Sequence, residues 1–182
     1  MAIGSTIYNF EIALSDTSRN VYESLVLRAA RHSSESLEFM LCRVLAYCLE
    51  YKEGLEFSKG LDDPDMPAIW AKDLTGQLTD WVEIGTPSAE KLHKASKNVP
   101  HVVVYTHRNP AITLELIKGQ KIHRAEEIDL FSFEPKFIEE IALATEKKNI
   151  WELMLSEGTI YLKAGAVDLS SEIKSQKLLQ VD

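Results

Sequence analysis

Polar and apolar residues alternate from Thr6 to Leu14, placing Tyr8, Phe10, Ile12 and Leu14 on one side, the period of a strand with one buried face. Asp16-Thr17-Ser18-Arg19-Asn20 is a turn cluster, and a second alternating run from Val21 to Arg28 predicts the returning arm of a long N-terminal hairpin. The period then changes. Over about residues 34–52, Leu37, Met40, Leu41, Val44, Leu45, Cys48 and Leu49 follow the i, i+3, i+4, i+7 spacing of a helix. Arg31-His32-Ser33-Ser34-Glu35 opens it, with a serine as N-cap and Glu35 in the first turn, where the helix dipole favours an acid. At about 100° per residue, Glu38 falls on the margin of the apolar stripe and Arg43 points to solvent.

Further along, Leu55-Glu56-Phe57 reads as a short strand, Asp62 to Pro67 as a solvated loop, and Pro67 to Lys72 as a short helix that buries Trp70. A strand over 78–84, a helix from Thr86-Pro87 with proline at its first position, and the unbroken apolar strand His101 to Thr106 form a crossover unit. Such a unit implies two parallel neighbours at the centre of a sheet. A helix near 110–118, a strand near 127–133 and a helix from Pro135 to about 145 follow. A hairpin closes the pattern, Trp151 to Leu155 and Thr159 to Leu162, turning at Glu157-Gly158. Together these predict one α/β domain spanning residues 1–182, with a mixed β-sheet flanked by helices and a β-hairpin near each end.

Composition narrows the function classes. With 182 residues, 45% of them hydrophobic, the chain has enough apolar material for a full core. No run approaches the roughly 18 apolar residues of a membrane span, and the start lacks the parts of a signal peptide, so a cytoplasmic protein is expected. Cys42 and Cys48 sit six apart in one predicted helix, too far for a disulfide, and read as core residues. A net charge of −8 argues against a protein that coats nucleic acid by bulk attraction, so any phosphate chemistry must be local. The five histidines show no pair at zinc-ligand spacing, and neither a P-loop nor a dinucleotide-binding glycine pattern can be fitted.

The segment that carries chemistry is Asp80-Trp81-Val82-Glu83-Ile84-Gly85-Thr86-Pro87, two carboxylates on an apolar strand running into a helix with Lys91, Lys94 and Lys97. Carboxylates there need a partner, and a divalent metal with a nearby ammonium would satisfy them and activate water on a phosphodiester. The same pattern also suits a strand cap at Asp80 and a solvent-facing Glu83. Asp80 lies three residues before Glu83, so an ideal strand points them to opposite faces, and only a bulge or strand-end twist would join them.

Arg31-His32-Ser33-Ser34-Glu35-Ser36-Leu37-Glu38 before an apolar helix, Phe57-Ser58-Lys59-Gly60-Leu61, and Trp81 to Pro87 leading to Lys94-Ala95 resemble the bacterial YaeQ family over nearly the full length. The resemblance implies a variant of the PD-(D/E)XK nuclease fold, in which a helix acid, a strand aspartate, a strand glutamate and a lysine surround magnesium. Carried over, Glu38 is the helix acid, Glu83 the strand acid and Asp80 the candidate aspartate, together the expected ligands of Mg²⁺, with Mn²⁺ as a substitute. Gly85 stands where that pattern places its lysine, so the role passes to Lys91, which periodicity favours, or Lys94, which family position favours. Arg31, His32, Tyr105 and Arg108 are the expected phosphate contacts at the rim. Two functions follow: metal-dependent hydrolysis of a nucleic-acid phosphodiester, or a catalytically degenerate nuclease fold with a binding or regulatory role.

Overall fold

The computed structural model describes residues 4–59 and 65–179, so the first part of the loop expected over Asp62 to Pro67 lies outside the described residues. The chain divides into two compact units, Met1–Leu49 with Phe133–Ile173 and Glu50–Ser132 with Lys174–Asp182. The predicted α/β class, its mixed strand pairing and both hairpins are present, but the strands form two sheets instead of one.

In the first unit, β1 (Thr6–Asp16) and β2 (Val21–Arg31) pair antiparallel without a break in register. Asp16 shapes the turn, accepting from the backbone N–H groups of Ser18 and Arg19, while Arg19 pairs with its carboxylate. The C-terminal hairpin, β8 (Lys148–Ser156) and β9 (Thr159–Ala164), turns at Glu157 and Gly158, both at positive φ as a tight primed turn requires. Adding β10 (Val167–Glu172) gives the order β10-β9-β8-β1-β2, with β1 and β8 parallel. The inner face follows the period of two: Phe10, Ile12, Leu14, Trp151, Leu153 and Leu162 are buried, and Phe10 meets Trp151 edge to face at 4.8 Å. Within the same unit, α1 (Leu37–Leu49) packs against α4 (Pro135–Ala144).

The helix α1 departs from expectation at both its start and its polar side. It begins at Leu37, with Ser36 accepting the N–H of Phe39, so Glu35 precedes the helix instead of occupying its first turn. Arg43, expected in solvent, is 5% exposed and pairs with the equally buried Glu35 at 3.0 Å. Burial runs unbroken from Met40 to Cys48, so no solvent side exists over that stretch and the cation needs an internal partner. Cys42 and Cys48 are fully buried core residues, and burial pushes the Cys48 thiol up to about 12.

In the second unit, β3 (Glu56–Phe57), β4 (Ile69–Lys72), β5 (Leu78–Ile84), β6 (His101–Thr106), β7 (Asp129–Ser132) and β11 (Lys174–Lys177) form a sheet of order β11-β7-β6-β5-β4-β3. β5, β6 and β7 are parallel, as the crossover predicts. α2 (Ala89–Asn98) and α3 (Pro110–Ile117) connect them, and Leu92 and Ala95 of α2 with Val99 just after it pack with Trp81, Val102 and Val104 in one apolar cluster. Ser88, not Thr86, caps α2, accepting the N–H of Lys91. The helix predicted over Pro67 to Lys72 is the strand β4, in which Ile69 and Ala71 alternate with Trp70 and Lys72, so neighbouring β5 overrides a weak local pattern. Among the described residues no helix is long and apolar enough to cross a membrane.

Candidate functional site

β5 carries the predicted carboxylates on a segment of regular pairing. Residues Asp80 to Ile84 match His101 to Tyr105 of β6 one to one. The shift along β5 lies earlier, where Leu78 and Asp80 face Lys72 and Ala71 of β4 and leave Thr79 as the extra residue. Successive side chains from Asp80 onward therefore alternate, and the bulge that would bring Asp80 beside Glu83 falls before both of them.

Glu83 shares its face with Trp81, toward α2. Its Oε1 accepts from Trp81 Nε1 at 2.7 Å and lies 2.8 Å from Lys91 Nζ, whose ammonium also stands 6.0 Å from the Trp81 ring centre. The residue is 5% exposed, and burial raises its pKa above 4.5 against the opposing pull of Lys91 and Trp81. Asp80, 6% exposed, points to the other face, where it pairs with Lys52 and accepts from Thr79 Oγ1 at 2.6 Å. Beside it on that face, Glu50 accepts from Tyr105 Oη at 2.5 Å and stands 2.9 Å from His101 Nε2. That hydrogen bond, chiefly, raises the pKa of His101.

The remaining predicted residues separate. Lys91 sits on Glu83, whereas Lys94 reaches the exposed Asp65 at 2.8 Å, so periodicity rather than family position identifies the lysine beside the strand acid. Tyr105, expected at a rim, is 1% exposed and stacks on Phe131 at 5.0 Å, because its strand is covered on both faces. Arg108 is exposed after β6, its N–H bonded to Thr106 Oγ1. Arg31 donates from Nε to the Glu35 carbonyl, and the His32 N–H donates to Glu35 Oε2, so both fix the loop before α1. Glu38, half-buried at the start of α1, belongs to the first unit, while Asp80 and Glu83 belong to the second.

Magnesium needs several oxygens near 2.0–2.1 Å from one point, whereas Asp80 and Glu83 alternate along a regular segment of β5. Among the described residues no group of three His, Cys, Asp or Glu side chains is placed to hold a metal ion. Of the expected ligands Glu38, Asp80 and Glu83, strand alternation points the two strand acids to opposite faces, and each pairs with a lysine. Glu50, Lys52, Trp81 and His101 escaped sequence reasoning. Only Trp81 had a legible signal, its place two residues from Glu83 on the same strand face.

A different feature marks the first unit. The outer face of its sheet is open, and the paired residues Tyr22, Ser15, Met154, Tyr161 and Ser170 form a row across all five strands. Small side chains at Ala13, Ser15 and Ser170 with taller ones at Met154, Tyr161 and Lys163 leave a groove of about 610 Å³. It is shallow and open, and it carries both charge signs in Glu152, Lys163 and Asp168.

A mixed α/β chain with a lysine-clasped strand acid and an open sheet face has clear relatives. The family model described as YaeQ protein matches residues 1–173, so the chain belongs to the YaeQ family. The uncharacterized protein YaeQ of Escherichia coli (strain K12) is 25% identical over 163 residues, covering 89% of this chain and 90% of its own length. That of Salmonella typhi is 32% identical over 111 residues, 61% of each chain. The crystal structure of YaeQ protein from Pseudomonas syringae superposes with a TM-score of 0.84 at 31% identity, covering 94% of this chain and 95% of the other. The YaeQ structure from Xanthomonas axonopodis pv. citri shares the fold, with a TM-score of 0.86 at 23% identity over 95% and 98% of the two chains.

Proposed function

We propose that this member of the YaeQ family is a binding or regulatory protein that does not hydrolyse phosphodiesters. The observation that carries the reading is the Glu83, Lys91 and Trp81 contact, in which a buried strand acid accepts from two donors through Oε1 and is compensated by a lysine instead of a metal. A metal ligand must offer its lone pairs to the cation, and Asp80 stands on the opposite face with its own lysine. The groove on the first sheet supplies a surface for binding that involves none of these groups. Metal-dependent hydrolysis is the second reading, favoured by the presence of a lysine beside the strand acid despite the glycine at position 85.

Purified protein incubated with single-stranded DNA, duplex DNA and RNA, each with Mg²⁺ and Mn²⁺, tests the choice. The expected result is no cleavage above a buffer control. Metal-dependent cleavage that disappears in Glu83→Gln would establish hydrolysis instead.

A further inference from the structure

We infer that β2 is an association edge, and that the strand it receives is β2 of a second copy, paired antiparallel about a two-fold axis through Val26.

The first support is which backbone groups face outward. The N–H of Asn9 donates to Lys147 at 2.9 Å, on the β8 side, so odd residues of β1 face β8 and even ones face β2. Phe10, Ile12 and Leu14 pair with Leu27, Leu25 and Glu23, so odd residues of β2 bond to β1 and even ones turn away from it. Because β2 ends the sheet order, the N–H and C=O groups of Ser24, Val26 and Arg28 lie along an edge. Ala30, next in that series, gives its carbonyl to Arg43 Nη2 at 2.8 Å, which closes the edge at one end.

Edges are usually short, kinked or charged, because an unpaired strand invites another. The other edges here conform: β3 has 2 residues, β11 has 4 with a lysine at each end, and β10 has 6 with Asp168 and Glu172. β2 has 11 residues, no proline and no bulge; its charges, Glu23, Arg28 and Arg31, lie away from its middle residue Val26, which is 84% exposed. An exposed β-branched residue at the centre of the longest edge is the reverse of edge protection.

The second copy is the occupant that the charges select. A two-fold axis through Val26 sets Val26 on itself, Ser24 opposite Arg28, Leu25 opposite Leu27 and Glu23 opposite Ala29, so no like charges face each other. Glu23 falls diagonally beside Arg31 of the second copy, an opposite-charge neighbour within reach of long side chains. Nucleic acid would need a strongly basic edge, which Glu23 with Arg28 and Arg31 does not provide.

Sedimentation equilibrium and crosslinking decide the point. The parent is expected to be a dimer, and Val26→Pro a monomer of half that mass with unchanged circular dichroism. Proline removes an outward N–H and no bond to β1. Val26→Cys is expected to form an intermolecular disulfide on mild oxidation, since directly opposed residues lie about 5.5 Å apart at Cα. The native Cys42 and Cys48 are buried and do not compete. Should Val26→Pro fail to fold, the cysteine variant still reports the geometry. A monomeric parent, or a dimer with no Val26→Cys crosslink, or one that persists in folded Val26→Pro, would overturn the inference.

Discussion

The ammonium of Lys91 stands 2.8 Å from Oε1 of Glu83, the same oxygen that takes the indole N–H of Trp81. A lysine from α2 thereby supplies the cation beside the buried strand acid. The strand acid is buried, and burial is what raises its pKa, so the contact reads as the compensation of a desolvated carboxylate.

Replacing one member of this pair should differ sharply from replacing the other. Glu83 has a raised pKa in the folded protein, so its contribution is most favourable below the unfolded value and declines as pH rises through the folded one. Glu83→Gln removes that dependence and should hold or gain stability near neutral pH, with a flatter stability curve above pH 4.5. Lys91→Met leaves a buried carboxylate without a cation and should lose about 3 kcal/mol. Urea unfolding at several pH values measures both. A larger loss in Glu83→Gln than in Lys91→Met at neutral pH would show that the acid is structural through hydrogen bonding and not through charge.

Glu35 and Arg43 make the same argument in the first unit. Burial raises the pKa of Glu35 and lowers that of Arg43, and the two compensate each other at 3.0 Å. Arg43→Met also takes the donor from the Ala30 carbonyl, so a loss of about 3–5 kcal/mol is expected. The double variant Glu35→Gln with Arg43→Met should recover a good part of it, because the uncompensated charge is gone. Additive losses in thermal unfolding would show that the pair is not coupled.

The difference between what was legible in the sequence and what was not lies in range. β1, β2, β8 and β9 were readable because each buries one face and turns at residues suited to the turn, Asp16 to Asn20 and Glu157-Gly158. β4 was not, since Pro67 and the residues that follow it carry no decisive period and β5 imposes the strand. β10 and β11 are polar edge strands with little alternation to detect. The alternation of Asp80 and Glu83 was legible and holds; their lysines were only half legible. Lys91 follows from helix periodicity, whereas Lys52 reaches Asp80 from a turn whose path no local pattern specifies.

His101 should titrate above its ordinary value of 6.5, because Glu50 Oε2 at 2.9 Å favours the imidazolium, with Asp80 adding to the effect. A raised histidine pKa stabilises the fold below the unfolded pKa, and that contribution is lost as pH rises through the folded value. The ring is 47% exposed at its side chain, so solvent screens the gain and the shift itself is the better observable. In an NMR titration the His101 ring signal should move to lower pKa in Glu50→Gln. An unchanged midpoint in that variant would remove Glu50 as the cause.

Gly85 marks the backbone turn at the end of β5. Its φ is +88°, in the left-handed region, and its N–H donates to the Tyr105 carbonyl at 2.8 Å as the chain leaves β5 for α2. A side chain at this position meets the strain that glycine avoids, on the order of 1–2 kcal/mol. Gly85→Lys would restore the lysine of the nuclease pattern in sequence, yet the backbone there is no longer extended, so the new ammonium would not sit on the face of Glu83 as a regular strand would place it. Position 85 is buried, so the expected outcome is a protein destabilised by at least that amount, with no gain of Mg²⁺-dependent cleavage in the background of Lys91→Met. Gly85→Ala should show the backbone part of that loss, separating strain from the burial of a charge. Equal stability of Gly85→Ala and the parent in urea unfolding would mean that the turn relaxes to negative φ and that backbone strain does not hold this position to glycine.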